Sequence, residues 1–152
     1  MAIRKIIELG DEVLRKKSFP VTDFSEKTHQ LLDDIKDTLK KAEGAGLAAV
    51  QVGVLRRMFV CDVKEGYFEF INPEIIETKG KRKDIEGCLS IPKKHGFVIR
   101  PKYVKVKAQD RNGNFFEIEA EDFFAKCICH EYDHLDGIVY TDKAVKVFDE
   151  QD

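Results

Sequence analysis

The sequence of 152 residues contains no apolar run long enough to cross a membrane. Its first residues, Met-Ala-Ile-Arg-Lys-Ile-Ile-Glu, become charged before an apolar segment of signal-peptide length is reached. These two absences argue against a membrane protein and predict a cytoplasmic location. In that reducing compartment, the four cysteines are expected to be thiols or metal ligands rather than a disulfide framework.

Neither sign of charge dominates the chain. The 26 basic and 28 acidic residues give a formal net charge of -2, so no sustained field attracts nucleic acid or an anionic membrane. The basic stretch from Lys79 to Lys83 is expected to be a solvated loop. Repeats, linkers and low-complexity segments are also lacking, so residues 1–152 are predicted to form a single domain.

Two segments have the apolar periodicity of helices. The first, residues 23–43, has Asp23 as its predicted N-cap, Glu26 at the capping-box position and Gly44 as its end. The second covers roughly Glu121 to Leu135, and only a short tail follows it.

Four segments rich in β-branched and aromatic residues have the character of strands. They are Arg57 to Val63, Tyr67 to Ile76, Val104 to Ala108 and Phe115 to Ala120. Because Asn112-Gly113 between the last two is a strong hairpin signal, the strands are predicted to be mostly antiparallel. Helices among such strands, without regular βαβ alternation, predict an α+β fold around a central helix.

The segment His130-Glu131-Tyr132-Asp133-His134 lies in the second predicted helix and matches the H-E-x-x-H pattern. Residues four apart project from nearly the same side of a helix, so both imidazoles can bind one metal ion. Glu131 lies one step around the helix, where its carboxylate can bond a water on that ion without ligating it. The pattern therefore predicts a hydrolytic metal site.

A catalytic site of this type needs a third protein ligand and an open position. The metzincin template places a histidine where this chain has Tyr140, and a thermolysin-like ligand would have to be Glu150 in the tail. Cys88, which follows Gly87 in a short apolar segment stopped by Pro92, is the better donor because a thiolate there completes a Cys-His-His set. By coordination preference alone, these ligands favour zinc.

Three segments together resemble the motifs of the peptide deformylase family, in the family's order. They are Gly44-Ala45-Gly46-Leu47-Ala48-Ala49-Val50-Gln51, Glu86-Gly87-Cys88-Leu89-Ser90 and His130-Glu131-Tyr132-Asp133-His134. The resemblance implies a metal-dependent hydrolase that removes the N-formyl group from the initiator methionine of new polypeptides and releases formate. It also implies ferrous iron as the ion in the cell, with Zn²⁺, Ni²⁺ or Co²⁺ as substitutes, and weak association with the ribosome.

The resemblance further assigns a task to each matching residue. The ion, held by the cysteine and the two histidines named above, lowers the pKa of a bound water, and Glu131 takes and returns its proton. Gln51 and the backbone N–H of Leu89 bond the formyl oxygen as charge develops there. Small residues let the substrate backbone lie alongside as an added strand. The expected substrate-binding residues are Gly44, Ala45, Gly46, Glu86, Gly87 and Cys127.

The sequence departs from the family in three places. Ala45 stands where a larger aliphatic residue is usual and is expected to widen the pocket, and Cys129 replaces a common glutamine. The chain after Gly137 lacks the long helix of some members, which argues against docking on the ribosome through that helix. Two alternatives stay open: a metal-dependent endopeptidase, and a protein whose ion only braces the fold through a fourth ligand such as Cys127 or Cys61.

Overall fold

Eight strands and three α-helices lie along residues 2–150, the part of the chain that the computed structural model describes. The helices are α1 (Glu26–Ala42), α2 (Asp122–Leu135) and α3 (Tyr140–Lys143). The strands are β1 (Gly46–Ala48), β2 (Met58–Val63), β3 (Gly66–Lys79), β4 (Arg82–Cys88), β5 (Ile91–Arg100), β6 (Tyr103–Gln109), β7 (Phe115–Glu121) and β8 (Lys146–Asp149). Within the described range, no helix has both the length and the apolar character that crossing a bilayer requires.

The strands form two sheets. One has five strands in the order β1-β2-β3-β6-β7, and the other has three in the order β4-β5-β8. Neighbouring strands are antiparallel in both sheets. The predicted α+β fold with antiparallel strands is therefore confirmed.

Strand β2 of the five-stranded sheet is buried on both faces. Met58 and Val60 of β2 join the apolar cluster around α1, whereas Phe59 and Cys61 join the cluster that contains residues of α2. All four side chains are fully buried. Because successive strand residues point to opposite faces, a strand covered on both sides reads as a continuous apolar run rather than an alternating one.

Helix α1 begins later than the sequence predicts. Ser25 is its N-cap residue, and Glu26 is therefore its first residue rather than a capping-box partner. Asp23 instead accepts hydrogen bonds from the backbone N–H of Ser25 at 3.0 Å and from the Ser25 hydroxyl at 2.8 Å, which makes a local turn ahead of the helix. The helix ends at Ala42, and its C-cap residue Glu43, in the left-handed region, lies next to the predicted Gly44.

The second half of the chain holds three strands that the sequence analysis did not predict. The stretch from Lys79 to Lys83, expected to be a loop, ends β3 and begins β4. Pro92 does not stop the apolar segment but lies in β5, outside the stretch from Lys94 to Phe97 that pairs with β8. The missing N–H of Pro92 therefore removes no bond to that strand. The expected tail contains α3 and β8.

Helix α2 links the two sheets. It contacts β1 and β2 of the five-stranded sheet and β5 of the three-stranded sheet. Just after it, Gly137 has φ +74°, and a Cβ there would lie 2.4 Å from the carbonyl oxygen of Arg15. Only glycine fits at this position, because the N-terminal segment lies close against the end of the helix.

Candidate metal centre

Three side chains from two elements converge between the sheets. Cys88 ends β4, and His130 and His134 lie one turn apart on α2. Their ligand atoms all lie within 4.8 Å of one another, and the distance from Cys88 Sγ to His134 Nε2 is 3.4 Å. A tetrahedral ion with bonds of about 2.1 Å to nitrogen and 2.3 Å to sulfur holds such donors about 3.5 Å apart. The predicted ligand set therefore fits a divalent metal.

The pKa values of the two histidines are shifted in opposite directions. Burial lowers the pKa of His134 well below its usual value, which keeps this imidazole neutral as a metal ligand must be. Burial alone would lower the pKa of His130 too, but hydrogen bonds with Cys88 and Glu86 outweigh it and raise that pKa. A positive charge is thus favoured beside Cys88 and Glu86, and a bound cation supplies one.

Glu86 fixes the ring of His130. Its Oε1 lies 2.9 Å from His130 Nδ1, which leaves Nε2 free for a metal. Arg100 donates to both carboxylate oxygens of Glu86, each at 2.9 Å, and to Asp133 at 2.6 Å. Burial by itself would raise the pKa of Glu86, but the bonds from Arg100 and His130 lower it to about 2. The carboxylate is therefore ionised and anchored.

Glu131 faces the other way, towards β1. Its side chain is almost fully buried, and Oε1 has no hydrogen-bond partner among residues 2–150. Burial raises the pKa of Glu131 to about 7. A Cβ on Gly46 would lie 2.7 Å from Oε2, so the glycine makes room for the carboxyl group. A carboxyl group with such a pKa can exchange protons near neutral pH.

Gln51 presents its amide nitrogen to the same place. Its Oε1 accepts a hydrogen bond from the backbone N–H of Ala48 at 2.9 Å, which fixes the amide. Its Nε2 lies 3.0 Å from Ser90 Oγ and 3.6 Å from Cys88 Sγ. A preorganised donor of this kind is what a developing oxyanion requires.

A cavity of about 450 Å³ opens in front of these groups. Of the site residues predicted from sequence, all but His134 line it; His134 is fully buried behind them. The lining residues from that set are Gly44, Ala45, Gly46, Gln51, Glu86, Gly87, Cys88, Leu89, Cys127, His130 and Glu131.

The two rejected ligand candidates take other places. Tyr140 is buried and stacks on the ring of His130, with centroids 6.1 Å apart and an interplanar angle of 24°. Glu150 lies at the wall of the cavity and is not among the converging metal donors. Both observations agree with Cys88 as the third ligand.

Sequence reasoning missed several residues of the cavity. His95 was not assigned a task, but it lines the cavity, and a Cβ on Gly87 would lie 3.0 Å from its ring. Ser90 was not assigned a task, although it is fully buried against Gln51. The other missed residues are Ile91, Pro92, Lys93, Lys94, Phe123 and Lys126. Most of them lie on the hairpin of β4 and β5. Because the sequence analysis did not predict this hairpin, it could not place these residues at the cavity.

Known proteins match this chain along nearly all its length. The family model described as polypeptide deformylase matches residues 3–149. A peptide deformylase of Caldicellulosiruptor bescii is 53% identical over 152 residues, which are 100% of this chain and 92% of that protein. Peptide deformylase 1 of Clostridium acetobutylicum is 54% identical over 143 residues, 94% of this chain and 95% of that protein.

Solved structures agree with these matches. The crystal structure of peptide deformylase from Thermotoga maritima has a TM-score of 0.94 and 39% identity, covering 96% of this chain and 100% of that chain. A peptide deformylase from Legionella pneumophila has a TM-score of 0.91 and 44% identity, covering 93% and 86%. The chain therefore belongs to the polypeptide deformylase family, whose metal-dependent enzymes remove the N-formyl group from nascent peptides.

Proposed function

We propose that this chain deformylates N-formylmethionyl peptides with Glu131 as the proton carrier, beside an ion held by Cys88, His130 and His134. One observation carries the proposal: the carboxyl group of Glu131 is buried with one oxygen unpartnered among the described residues, next to the three converging donors. A site that only braces the fold needs no such group. A structural zinc site is also normally closed by a fourth protein ligand, and none joins the three donors within residues 2–150.

The protein residues divide the chemistry among themselves. A divalent ion, when bound, acts as a Lewis acid that makes hydrolysis accessible near neutral pH. Glu131 accepts the proton of the attacking water and returns it to the departing amine. Burial raises the pKa of Glu131 in the metal-free protein, and a bound cation would favour the ionised carboxylate that accepts the proton.

We propose that Gln51 and the backbone N–H of Leu89 stabilise the negative charge on the formyl oxygen. The amide of Gln51 is held between Ala48 and Ser90 with its nitrogen 3.6 Å from Cys88 Sγ, so it is oriented before substrate arrives. Removing one donor of this type typically costs about 3 kcal/mol of transition-state stabilisation. Gln51→Ala is accordingly expected to lower kcat by about two orders of magnitude.

We propose that the peptide lies along β1 as an added strand. β1 is an edge strand, paired on one side with β2. Gly44 and Gly46 have no room for a side chain on the cavity side, since an added Cβ would lie within 2.9 Å of Leu89 and 2.7 Å of Glu131 respectively. Ala45, Gly87 and Cys127 complete the wall. Both oxygens of Glu86 bond Arg100 or His130, so we assign it to positioning of His130 rather than to direct recognition of substrate.

The ion and the cellular setting are part of the same proposal. Resemblance to the family favours ferrous iron in the cell, and the sulfur and nitrogen donors can also bind Zn²⁺, Ni²⁺ or Co²⁺. Faster decay of the iron-loaded enzyme in air than without oxygen would support iron. We place the activity in the cytoplasm on nascent peptides, with weak ribosome contact, as the resemblance to the family implies. Co-sedimentation with ribosomes tests that contact.

The decisive experiment measures formate released from formyl-Met-Ala-Ser by metal-loaded protein. Glu131→Gln is expected to lose about 10²- to 10⁴-fold in kcat while its metal content stays at the parental value. Glu150→Gln, which changes a carboxylate on the wall of the same cavity, is the matched control and is expected to stay within a few-fold of the parent. Full activity in Glu131→Gln would contradict the proposal. Cleavage of internal peptide bonds without formate would favour the endopeptidase.

A further inference from the structure

Two cysteines outside the metal-ligand set meet below the cavity. Cys61 lies on β2, inside the five-stranded sheet, and Cys127 lies on α2. Their sulfur atoms are 3.2 Å apart. A disulfide bond is about 2.05 Å long, so the two sulfurs need to approach each other by only about 1.2 Å to bond. Secondary structure holds both residues, and their contact is therefore a built feature of the fold.

The two thiols differ in access. Cys127 lines the cavity beside Glu131, and its sulfur also lies 3.4 Å from the carbonyl oxygen of Ala45. Cys61 is fully buried, and burial raises its pKa well above the usual value. An oxidant that enters through the cavity therefore meets Cys127 first. Cys61 stays a thiol and remains in contact with the oxidised sulfur of Cys127.

We propose that Cys61 and Cys127 form a reversible redox pair, in which Cys61 resolves an oxidised Cys127. Hydrogen peroxide first oxidises Cys127: an S–O bond forms as the O–O bond breaks, giving a sulfenic acid and water. The sulfur of Cys61 then attacks that of Cys127, an S–S bond forms, the S–O bond breaks, and hydroxide leaves with the proton of Cys61 as water. Two thiols lose two electrons, and one peroxide becomes two waters.

The pair has two physical consequences. Without a neighbouring thiol, a sulfenic acid proceeds to sulfinic acid, which thiol reductants do not reverse. With Cys61 in contact, the oxidised Cys127 instead forms a disulfide bond, and a thiol reductant returns this disulfide to two thiols. The new bond also joins residues 66 apart in the sequence, which restricts the unfolded chain. The oxidised protein is expected to melt about 5 to 10 °C higher than the reduced protein.

The test uses zinc-loaded protein, because zinc has no redox chemistry and any oxidation then belongs to the thiols. Parent, Cys61→Ala and Cys129→Ala are treated with hydrogen peroxide, capped with an alkylating agent, digested without reductant and mapped by mass spectrometry. Cys129 is the matched control, because it is another buried cysteine of α2. Parent and Cys129→Ala are expected to give a linked Cys61–Cys127 peptide that a thiol reductant separates. Cys61→Ala is expected to accumulate Cys127 sulfinic acid.

Three results would overturn the pairing. One is Cys127 sulfinic acid forming as fast in the parent as in Cys61→Ala, with no linked peptide. The second is a link from Cys127 to Cys88, which would mean that the metal ligand is the resolving thiol. The melting temperature of the treated parent gives a readout that is independent of activity and of the variants, and an unchanged value would also contradict a cross-link.

Discussion

The five-stranded sheet packs against the metal-binding helix through apolar side chains, whereas the three-stranded sheet contributes buried charged side chains. On the first sheet, Phe59 and Phe70 are fully buried and stack with their centroids 4.9 Å apart. On the second, Arg100 bonds Glu86 and Asp133 with almost no exposure of its side chain. Both sheets pack on α2. One side of the site thus depends on hydrophobic burial, and the other on an ionic network that must stay complete.

This difference has an energetic meaning. Apolar burial is non-directional and indifferent to pH, so the sheet that contains β1 is a stable platform. Buried ions are costly to desolvate and contribute only while every partner is present. The network around Glu86 is therefore better understood as a device that positions His130 than as the main source of stability.

Phe70→Ala is expected to have the largest effect on stability. Removing a fully buried ring costs about 4 kcal/mol, and the loss should be the same at pH 7 and pH 4, since no charge is involved. Urea unfolding of the metal-free protein measures it. Phe115→Ala, at a side chain that is 67% exposed, is the control and should change the free energy of unfolding by less than about 0.5 kcal/mol.

Arg100→Met tests the other sheet. It leaves the carboxylates of Glu86 and Asp133 buried without their shared cation, and we expect a loss of about 3 kcal/mol in the free energy of unfolding. Arg82→Met removes an arginine whose ion pairs are exposed, and a loss below about 1 kcal/mol is expected there. Equal losses in the two variants would remove the distinction between buried and exposed charge.

A pH titration of one protein distinguishes the stability that comes from the ionic network from the stability that comes from apolar burial. The pKa of Glu86 falls to about 2 in the folded state, from 4.5 in the unfolded state. The folded state then binds fewer protons, so this stabilisation is complete above pH 4.5 and is lost as the pH falls towards 2. Between pH 6 and pH 3 the advantage of the metal-free parent over Glu86→Gln should shrink by about 2 kcal/mol. A constant difference would show that Glu86 does not titrate as the buried network requires.

Metal removal is expected to have the smallest and most local effect. Cys88 is the last residue of β4, whereas β2 and β3 supply no ligand. After chelation, amide exchange in β4 and the adjoining part of β5 should speed up about tenfold more than in β2 and β3. Hydrogen exchange followed by mass spectrometry measures this ratio. Uniform acceleration over both sheets would mean that the ion stabilises the whole domain alike.

The comparison also explains what the sequence could predict. Helix α2, the run from Met58 to Val63 and the hairpin at Asn112-Gly113 have local signals, because periodicity, apolar runs and turn residues act within a few positions. Glu131 and the two histidines were predicted from a local motif, whereas Cys88 was predicted because that motif requires a third donor from elsewhere in the chain. Their convergence follows from the fold. The strand, the hairpin and the helix belong to the apolar sheet and to the helix that packs on it, whereas Cys88 ends β4 of the three-stranded sheet.

The three-stranded sheet could not be predicted in this way. Lysines interrupt β4 and β5, Pro92 suggests a stop, and β8 has only four residues. Their strand conformation depends on pairing with each other rather than on local preference. The same reason hid His95, which lies on β5 against Gly87 of β4 in the cavity wall. It also hid Arg100, whose partners Glu86 and Asp133 are remote in sequence.

X-ray absorption at the zinc edge, on zinc-loaded protein, tests the central claim most directly. We expect one sulfur ligand at about 2.3 Å and two imidazole nitrogens at about 2.0 to 2.1 Å, with one further light atom from solvent. Cys88→Ser should remove the sulfur shell and leave both imidazoles. A parent spectrum without sulfur, or with a second sulfur from another cysteine, would contradict an open Cys-His-His site.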